Sequence, residues 1–443
     1  MEKKINEING SEREIEITMS NDELQPHYDA AYREVQPTVN IKGFRKGKVP
    51  LSMIKKMYGP QIEADALEKI SNDVFNEVVK EQEIKVVGNP SVKDIKKEDD
   101  GLTFVIWFEC IPDIELGDYK SLEVDEPIHA VSDEELDSEI DRLCKANGEM
   151  TPVNEVDNEL NVVGVNLREY DENGEIDTEK EPQKTHIYLS EPSVLPALKD
   201  DLMGKKIMDK FDFAPHETDP SAPDKKYEIE IFEIQLIEPV EFNDEFVKKY
   251  SQGKFETADD YREEISFKIQ EQWDMKSRQA LEDQIVNQLT EAHEFDLPES
   301  VVQEVIKSMA EDIKKRYQNA PQAADLSVEQ MAPGLRPLAE RTVKWEIIRN
   351  KIIEVENIAV EDYDIDQLAE MEAIRMNTDK EMVKKIIMQN QSMVGNIISK
   401  KVMDLLVDFT TTNEVTFEEF ENKTNEEDIE ELQKGNNELM DKD

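Results

Sequence analysis

Cysteine is nearly absent. The 443 residues hold two, Cys110 and Cys144, too few for a disulfide framework in a chain of this size, and neither is assigned any chemistry. Long apolar runs are missing as well. No stretch approaches the roughly 18 residues that span a bilayer, and the opening MEKKINEING places charges where a signal peptide needs apolar residues. A cytoplasmic protein with no membrane partner is the expectation. Positive charge is scarce: 53 Lys and Arg stand against 103 Asp and Glu, for a formal net charge of −50. Phosphate contacts dominate affinity for RNA and DNA, so a generic nucleic-acid binder is disfavoured. Catalytic signatures are lacking too. The five histidines, His27, His129, His186, His216 and His293, form no paired ligand motif, and no G-x-S-x-G nucleophile occurs. No metal, cofactor, ATP site or catalytic residue is predicted.

What the chain does contain is organised in blocks. Residues 1–112 read as α+β: REIEITM alternates as a strand with Ile15 and Ile17 on one face, Ser20 or Asn21 caps a helix running towards Val35, Ile62, Ala66, Ile70, Val74 and Val78 stripe a second helix, and LTFVIWFECI is a buried strand. Residues 113–152 read as a linker arm with one short helix capped by Ser132 and Glu135. Short alternating runs over 153–241 describe a small antiparallel β-rich domain. From 242 to 425 the pattern is helical: one long helix opens at Thr257 or Asp260 and reaches His293, and further helices follow Pro298, the prolines at 333 and 337, and Asn377. Residues 426–443, with eight acids and two bases, read as a disordered acidic tail.

One stretch breaks the acidic rule. Between Val35 and Ile62 there is no Asp or Glu, whereas Lys42, Arg45, Lys46, Lys48, Lys55 and Lys56 are all basic. At the chain's average frequency those 28 residues would hold about six acids. With a Debye length of about 8 Å at physiological salt, such a patch attracts a polyanion on its own terms. Its centre is GFRKGKVP. Arg45 can grip a carboxylate or phosphate bidentately, Lys46 and Lys48 add point charges, Phe44 is an apolar anchor, and Gly43 and Gly47 allow a tight turn. A phosphate-binding loop is excluded, because Val49 follows Lys48 where Ser or Thr is required. A solvated basic turn without a partner is the plainer reading of the charges alone.

GFRKGKVP at this distance from the start, with the block order above, ELGDYKSLEV and VEDYDIDQLAE, resembles trigger factor, the bacterial ribosome-associated chaperone. The resemblance covers essentially the whole chain. It implies a multidomain α+β fold: an α+β ribosome-docking domain, a linker, a small β-rich FKBP-like prolyl isomerase domain and a large all-α domain. It further implies docking on protein and rRNA at the exit tunnel of the large ribosomal subunit through Gly43, Phe44, Arg45, Lys46, Gly47 and Lys48. Unfolded nascent polypeptides are the implied clients, handled without ATP, and the free protein is expected to form a homodimer. FKBP-type isomerases hold an X-Pro bond in a dry aromatic pocket. Family members carry Ile-Pro-Gly-Phe-Glu at its edge, whereas this chain has Leu195, Pro196, Ala197, Leu198 and Lys199, and YLSEPSV replaces a glycine-rich flap. Leu195, Pro196, Leu198 and Phe211 are the pocket candidates, and a degenerate site with weak turnover is expected. Six methionines lie between Met371 and Met403, and Met376, Met382, Met388 and Met393 are the candidates for a client-holding cradle, since flexible thioethers repack around many sequences. At helical spacing such residues more often form an ordinary core. A stand-alone prolyl isomerase and a ribosome-independent holdase are the alternatives.

Overall fold

The structure, a computed structural model, describes residues 2–42, 44–45, 47–97, 101–170, 176, 181–218, 225–316 and 327–424. Gly43, Lys46 and the acidic tail from 426 to 443 lie outside them. Two compact units emerge, one made of residues 1–126 and 278–415, the other of 127–277 and 416–443.

The chain opens with β1 (Glu2–Glu7), β2 (Glu12–Ser20), α1 (Asn21–Val35), α2 (Leu51–Glu81), β3 (Val86–Lys97) and β4 (Gly101–Cys110). The strands form an antiparallel sheet of order β1-β2-β4-β3. Ile15 pairs with Ile106 and Ile17 with Phe104, so the apolar faces of the two central strands coincide. They pack on Leu24 of α1 and on α2 through Ile70, Val74 and Val78, the later part of the stripe expected from the four-residue spacing, and through Phe75, which lies outside it. The two edge strands have no counterpart in the sequence reading. β1 carries one apolar residue, Ile5, and β3 contains Gly88 and Pro90 with register shifts, features an edge tolerates and a central strand does not.

The second unit takes in α3 (Asp133–Ala146), β6 (Glu149–Pro152), β7 (Asn161–Glu169), β8 (Gln183–Tyr188), α4 (Pro196–Leu202), β9 (Lys210–Phe213), α5 (Pro215–Thr218), β10 (Tyr227–Glu238), α6 (Asp244–Tyr250) and the first part of α7 (Ala258–Ala292); β5 (Glu123–Ile128) comes just before them. Its antiparallel sheet runs β6-β10-β7-β8, with β9 also on β10. Val163, Val165, Ile229, Ile231 and Ile234 line the core side, closed by Leu202 of α4 and by Leu189. On Gly164 the opposite face is so close to the Phe232 ring that a Cβ would stand 2.8 Å from it.

The remaining elements are α8 (Glu299–Arg316), α9 (Val328–Glu356), α10 (Asp362–Met376), α11 (Lys380–Gln389), α12 (Gln391–Phe409) and β11 (Thr411–Thr416), which pairs with β5. Leu281, Ile285 and Leu289 of α7 pack with Val302 and Ile306 of α8, Val343, Ile348 and Ile352 of α9, and Val402 and Leu406 of α12. Buried Glu109 at the end of β4 accepts from the Ser300 N–H at 3.2 Å, so a carboxylate from the sheet caps the start of α8. The prolines at 333 and 337 do not precede a helix as the sequence suggested. They lie inside α9, which starts earlier because Ser327 and Gln330 form a capping box ahead of them.

Candidate functional site

The basic segment joins α1 to α2. Its two ends are tied down by apolar burial: Ile41 on one side and Val49 on the other sink into a cluster with Tyr32, Ile54 and Ile62. Within it the Phe44 N–H donates to the Ile41 carbonyl at 3.1 Å and the Lys48 N–H to the Arg45 carbonyl at 2.9 Å. Gly47 takes φ +78°, the left-handed region that glycine enters without strain. Gln36 Nε2 donates to the Val49 carbonyl at 2.7 Å and closes the loop against the end of α1. Held this way, Phe44 is 39% exposed, and Lys42, Arg45 and Lys48 are exposed. Among the described residues none of those three cations enters an ion pair.

The surroundings reinforce the charge. α2 begins at Leu51 without an acid in its first turn, so the positive end of a 31-residue helix adjoins the loop. Lys56 is exposed one turn on, and Lys55 lies 5.7 Å over the Tyr32 ring. The nearest acid along α2, Glu63, is occupied by the Tyr32 hydroxyl at 2.7 Å. Burial, and then that bond, raise the Tyr32 pKa, which keeps the hydroxyl a donor. Leu51, Met57 and Tyr58 are exposed beside the lysines. Sequence reasoning did not single out these three: Tyr58 lies four residues from both Ile54 and Ile62, on the row of the core-facing residues, so spacing alone does not mark it as exposed.

A second surface is apolar. α10 and α11 pack through Ile365, Ala369, Ala373, Val383 and Ile387, and three salt bridges pin them and α12: Lys384 to Asp366, Lys401 to Asp364 (both 2.6 Å) and Lys380 to Glu370 (2.9 Å). Backbone and Lys401 bonds hold the Asp364 carboxyl below its ordinary pKa. Their outer face leaves Met376, Met382 and Met388 exposed together with Met371, Ile374 and Ile386, the isoleucine at 374 being 77% exposed. Met393 differs: it is partly buried against the α10–α11 core.

A third feature is a cavity of about 420 Å³ in the β-rich unit. Leu195 and Leu198 line it with Tyr188, Phe213, Tyr227 and Ile229. Pro196 is the first residue of α4, where a missing N–H costs nothing. Phe211 packs against the core with Lys205 Nζ 5.0 Å over its ring, and Phe213, two residues on, supplies the phenyl wall of the cavity.

The family model described as bacterial trigger factor protein matches residues 1–143, and that of the trigger factor C-terminus matches 257–408. The trigger factor of Chlorobaculum tepidum is 30% identical over 377 residues, covering 84% of this chain and 87% of that protein. That of Chlorobium phaeobacteroides is 28% identical over 424 residues, covering 94% and 98%. A solved structure reported for promiscuous substrate recognition in folding and assembly activities of the trigger factor chaperone shares the fold at a TM-score of 0.52, with 21% identity over 92% of this chain and 99% of its own. Relatives and fold agree over most of the chain, the family models match residues 1–143 and 257–408, and the chain belongs to the trigger factor family of chaperones.

Proposed function

We propose that this chaperone docks in the cytoplasm on the large ribosomal subunit through residues 42–58 and shields nascent polypeptides on the methionine-bearing face of α10 and α11. The observation that carries the docking half is the presentation of Phe44, Arg45 and Lys48: exposed and unpaired among the described residues, on a loop whose ends are buried. Arg45 and the lysines meet rRNA phosphate or acidic protein, Phe44 fills an apolar recess, and Gly43, Lys46 and Gly47 complete the contact. Docking concentrates the client face beside emerging chains, so weak and reversible contacts suffice without a covalent step. Residues 1–112 form the docking domain, 113–152 the linker, 153–241 the FKBP-like domain and 242–425 the cradle.

Replacing Phe44, Arg45 and Lys46 with alanine should abolish cosedimentation with ribosomes while far-UV circular dichroism stays unchanged. Undiminished cosedimentation would refute the docking assignment. The aromatic-walled cavity supports a second, weaker activity: it admits an X-Pro segment, and the β-rich region turns over prolyl peptides slowly. A protease-coupled peptide assay on the full chain, with Phe213→Ala as the control, measures it. Homodimer formation off the ribosome belongs to the same proposal and is read by sedimentation equilibrium.

A further inference from the structure

Of the five histidines, His293 alone is buried, at 7% exposed, and it sits just beyond the end of α7. Its ring joins two stretches of backbone. The Gly117 N–H donates to Nε2 at 2.9 Å, and Nδ1 lies 2.7 Å from the Leu289 carbonyl oxygen. A backbone N–H can only donate and a carbonyl can only accept, so the partners fix the tautomer: Nδ1 carries the proton and Nε2 offers its lone pair. That nitrogen has a single lone pair. Protonating it turns the acceptor into a donor and sets N–H against N–H, whereas a carboxylate that gains a proton keeps an oxygen with which to accept.

Gly117 belongs to the strap of residues 111–122 that runs from β4 to β5. Ile114 and Tyr119 anchor the strap on either side of it, buried in the core built by α7, α8, α9 and α12. Two ion pairs tie it down as well, Asp113 to Lys351 at 2.7 Å and Lys120 to Glu356 at 2.6 Å. Lys351 holds the Asp113 carboxyl below its ordinary pKa, and Lys120, then Tyr119, do the same for Glu356. Both pairs therefore stay charged between about pH 5 and 8, the range in which histidine changes charge. The ring borders a cavity of about 560 Å³, whose charged walls are Glu7 of β1, Arg13 of β2, Asp113 and Glu115 of the strap, and Glu294 and Asp296 beyond α7. Five carboxylates there face one guanidinium, so a positive ring meets opposite charge.

We propose that His293 is a proton-operated latch: neutral, it pins the strap at Gly117, and on taking a proton from water at Nε2 it releases Gly117 while the flanking ties hold. The ring becomes an imidazolium with both nitrogens donating. Its attraction to the cavity carboxylates offsets the lost bond, so the change is local and the unfolding midpoint does not move with it. Acidification thereby loosens the point at which the chain leaves the N-terminal sheet for the linker. None of these groups belongs to the basic loop or the methionine-bearing face, so the latch is independent of both.

The test uses the full chain labelled with 15N-histidine, the His293 signals being identified by their loss in His293→Gln. At pH 8 the ring should show an Nδ1–H and a bare Nε2. Between pH 8 and pH 5 the Nε2 signal should move to that of an N–H. The protection factor of the Gly117 amide, which corrects for the intrinsic pH dependence of exchange, should fall about tenfold in step, as expected for one hydrogen bond exchanged for a facing donor. The Ile111 amide, which donates to the Lys85 carbonyl at 2.9 Å, should keep its protection throughout. His293→Gln does not titrate, and Gly117 protection in it should not vary with pH. An Nε2–H tautomer at pH 8, a ring that stays neutral down to pH 5, or Gly117 protection that ignores protonation of the ring would overturn the latch. So would an equal fall in His293→Gln.

Discussion

Truncating Val49 to alanine separates the placement of the docking loop from its charge. Val49 is fully buried at the loop's exit and packs with Tyr32, Ile41, Ile54 and Ile62. Two methyl groups leave the core, at about 0.8 kcal/mol each for transfer. The space they vacate adds about 1 kcal/mol if the cluster does not collapse around it. The local cost is therefore about 2.6 kcal/mol, equivalent to roughly an eightyfold rise in the open population of this region. A single global unfolding free energy is ill-defined for a multidomain chain, so the readout is native-state hydrogen exchange. The amides of Phe44, Lys48 and Ile54, which donate to Ile41, Arg45 and Pro50, should exchange about eightyfold faster, while amides of β2 and β4 stay protected. Ribosome affinity should fall modestly, and its salt dependence should not change, because every cation remains. Unaltered protection at these three amides would show that the cluster does not hold the loop, and the account of its exposure would fail.

Three other perturbations probe the remaining elements. Gly164→Ala puts a Cβ against the Phe232 ring and should destabilise the β-rich unit by about 1 to 3 kcal/mol, read as a lower denaturant midpoint for that unit; an unchanged midpoint would mean the ring moves aside at no cost. The Arg336 guanidinium holds the Glu299 carboxyl below its ordinary pKa, and backbone and Lys401 bonds do the same for Asp364. Depressed carboxylates contribute stability that is present above their unfolded pKa of about 4 and is lost as pH falls through the folded values. Unfolding midpoints should therefore hold steady from pH 7 to pH 5 and drop on further acidification, less so in Glu299→Gln. Replacing Met382, Ile386 and Met388 with serine should leave thermal stability within about 0.5 kcal/mol, since the residues are exposed, and should reduce suppression of aggregation of an unfolded client; undiminished suppression would remove these residues from the client face.

Periodicity made much of the fold legible. Ile15 and Ile17 and the α2 stripe from Ile62 to Val78 declare themselves by spacing because each buries one regular face, and the long helix from 258 to 292 does so through two separate runs, Tyr261 and Ile265 in one core and Leu281, Ile285 and Leu289 in another. β1 and β3 were illegible for the same reason: edge strands bury little, and their polar residues, Gly88 and Pro90 erase the alternation. The start of α9 was hidden because prolines ordinarily end a helical pattern, and only the Ser327 cap reveals that these two lie within one. At the candidate site, the basic loop was visible as an absence of acids. Leu51, Met57 and Tyr58 were not, since exposure of an apolar residue depends on which helical face meets the core. Met376, Met382 and Met388 stand out in the solvent while Met393 is partly buried, a division set by tertiary packing and not by residue type.

The most direct measurement is the salt dependence of binding to purified large ribosomal subunits. If Lys42, Arg45, Lys46 and Lys48 meet rRNA phosphates, log K should fall linearly with log salt by about 0.7 to 0.9 per phosphate neutralised, and Arg45→Ala should reduce the slope by about one. A slope near zero, or one that Arg45→Ala leaves unchanged, would contradict the assignment of this loop as the docking element.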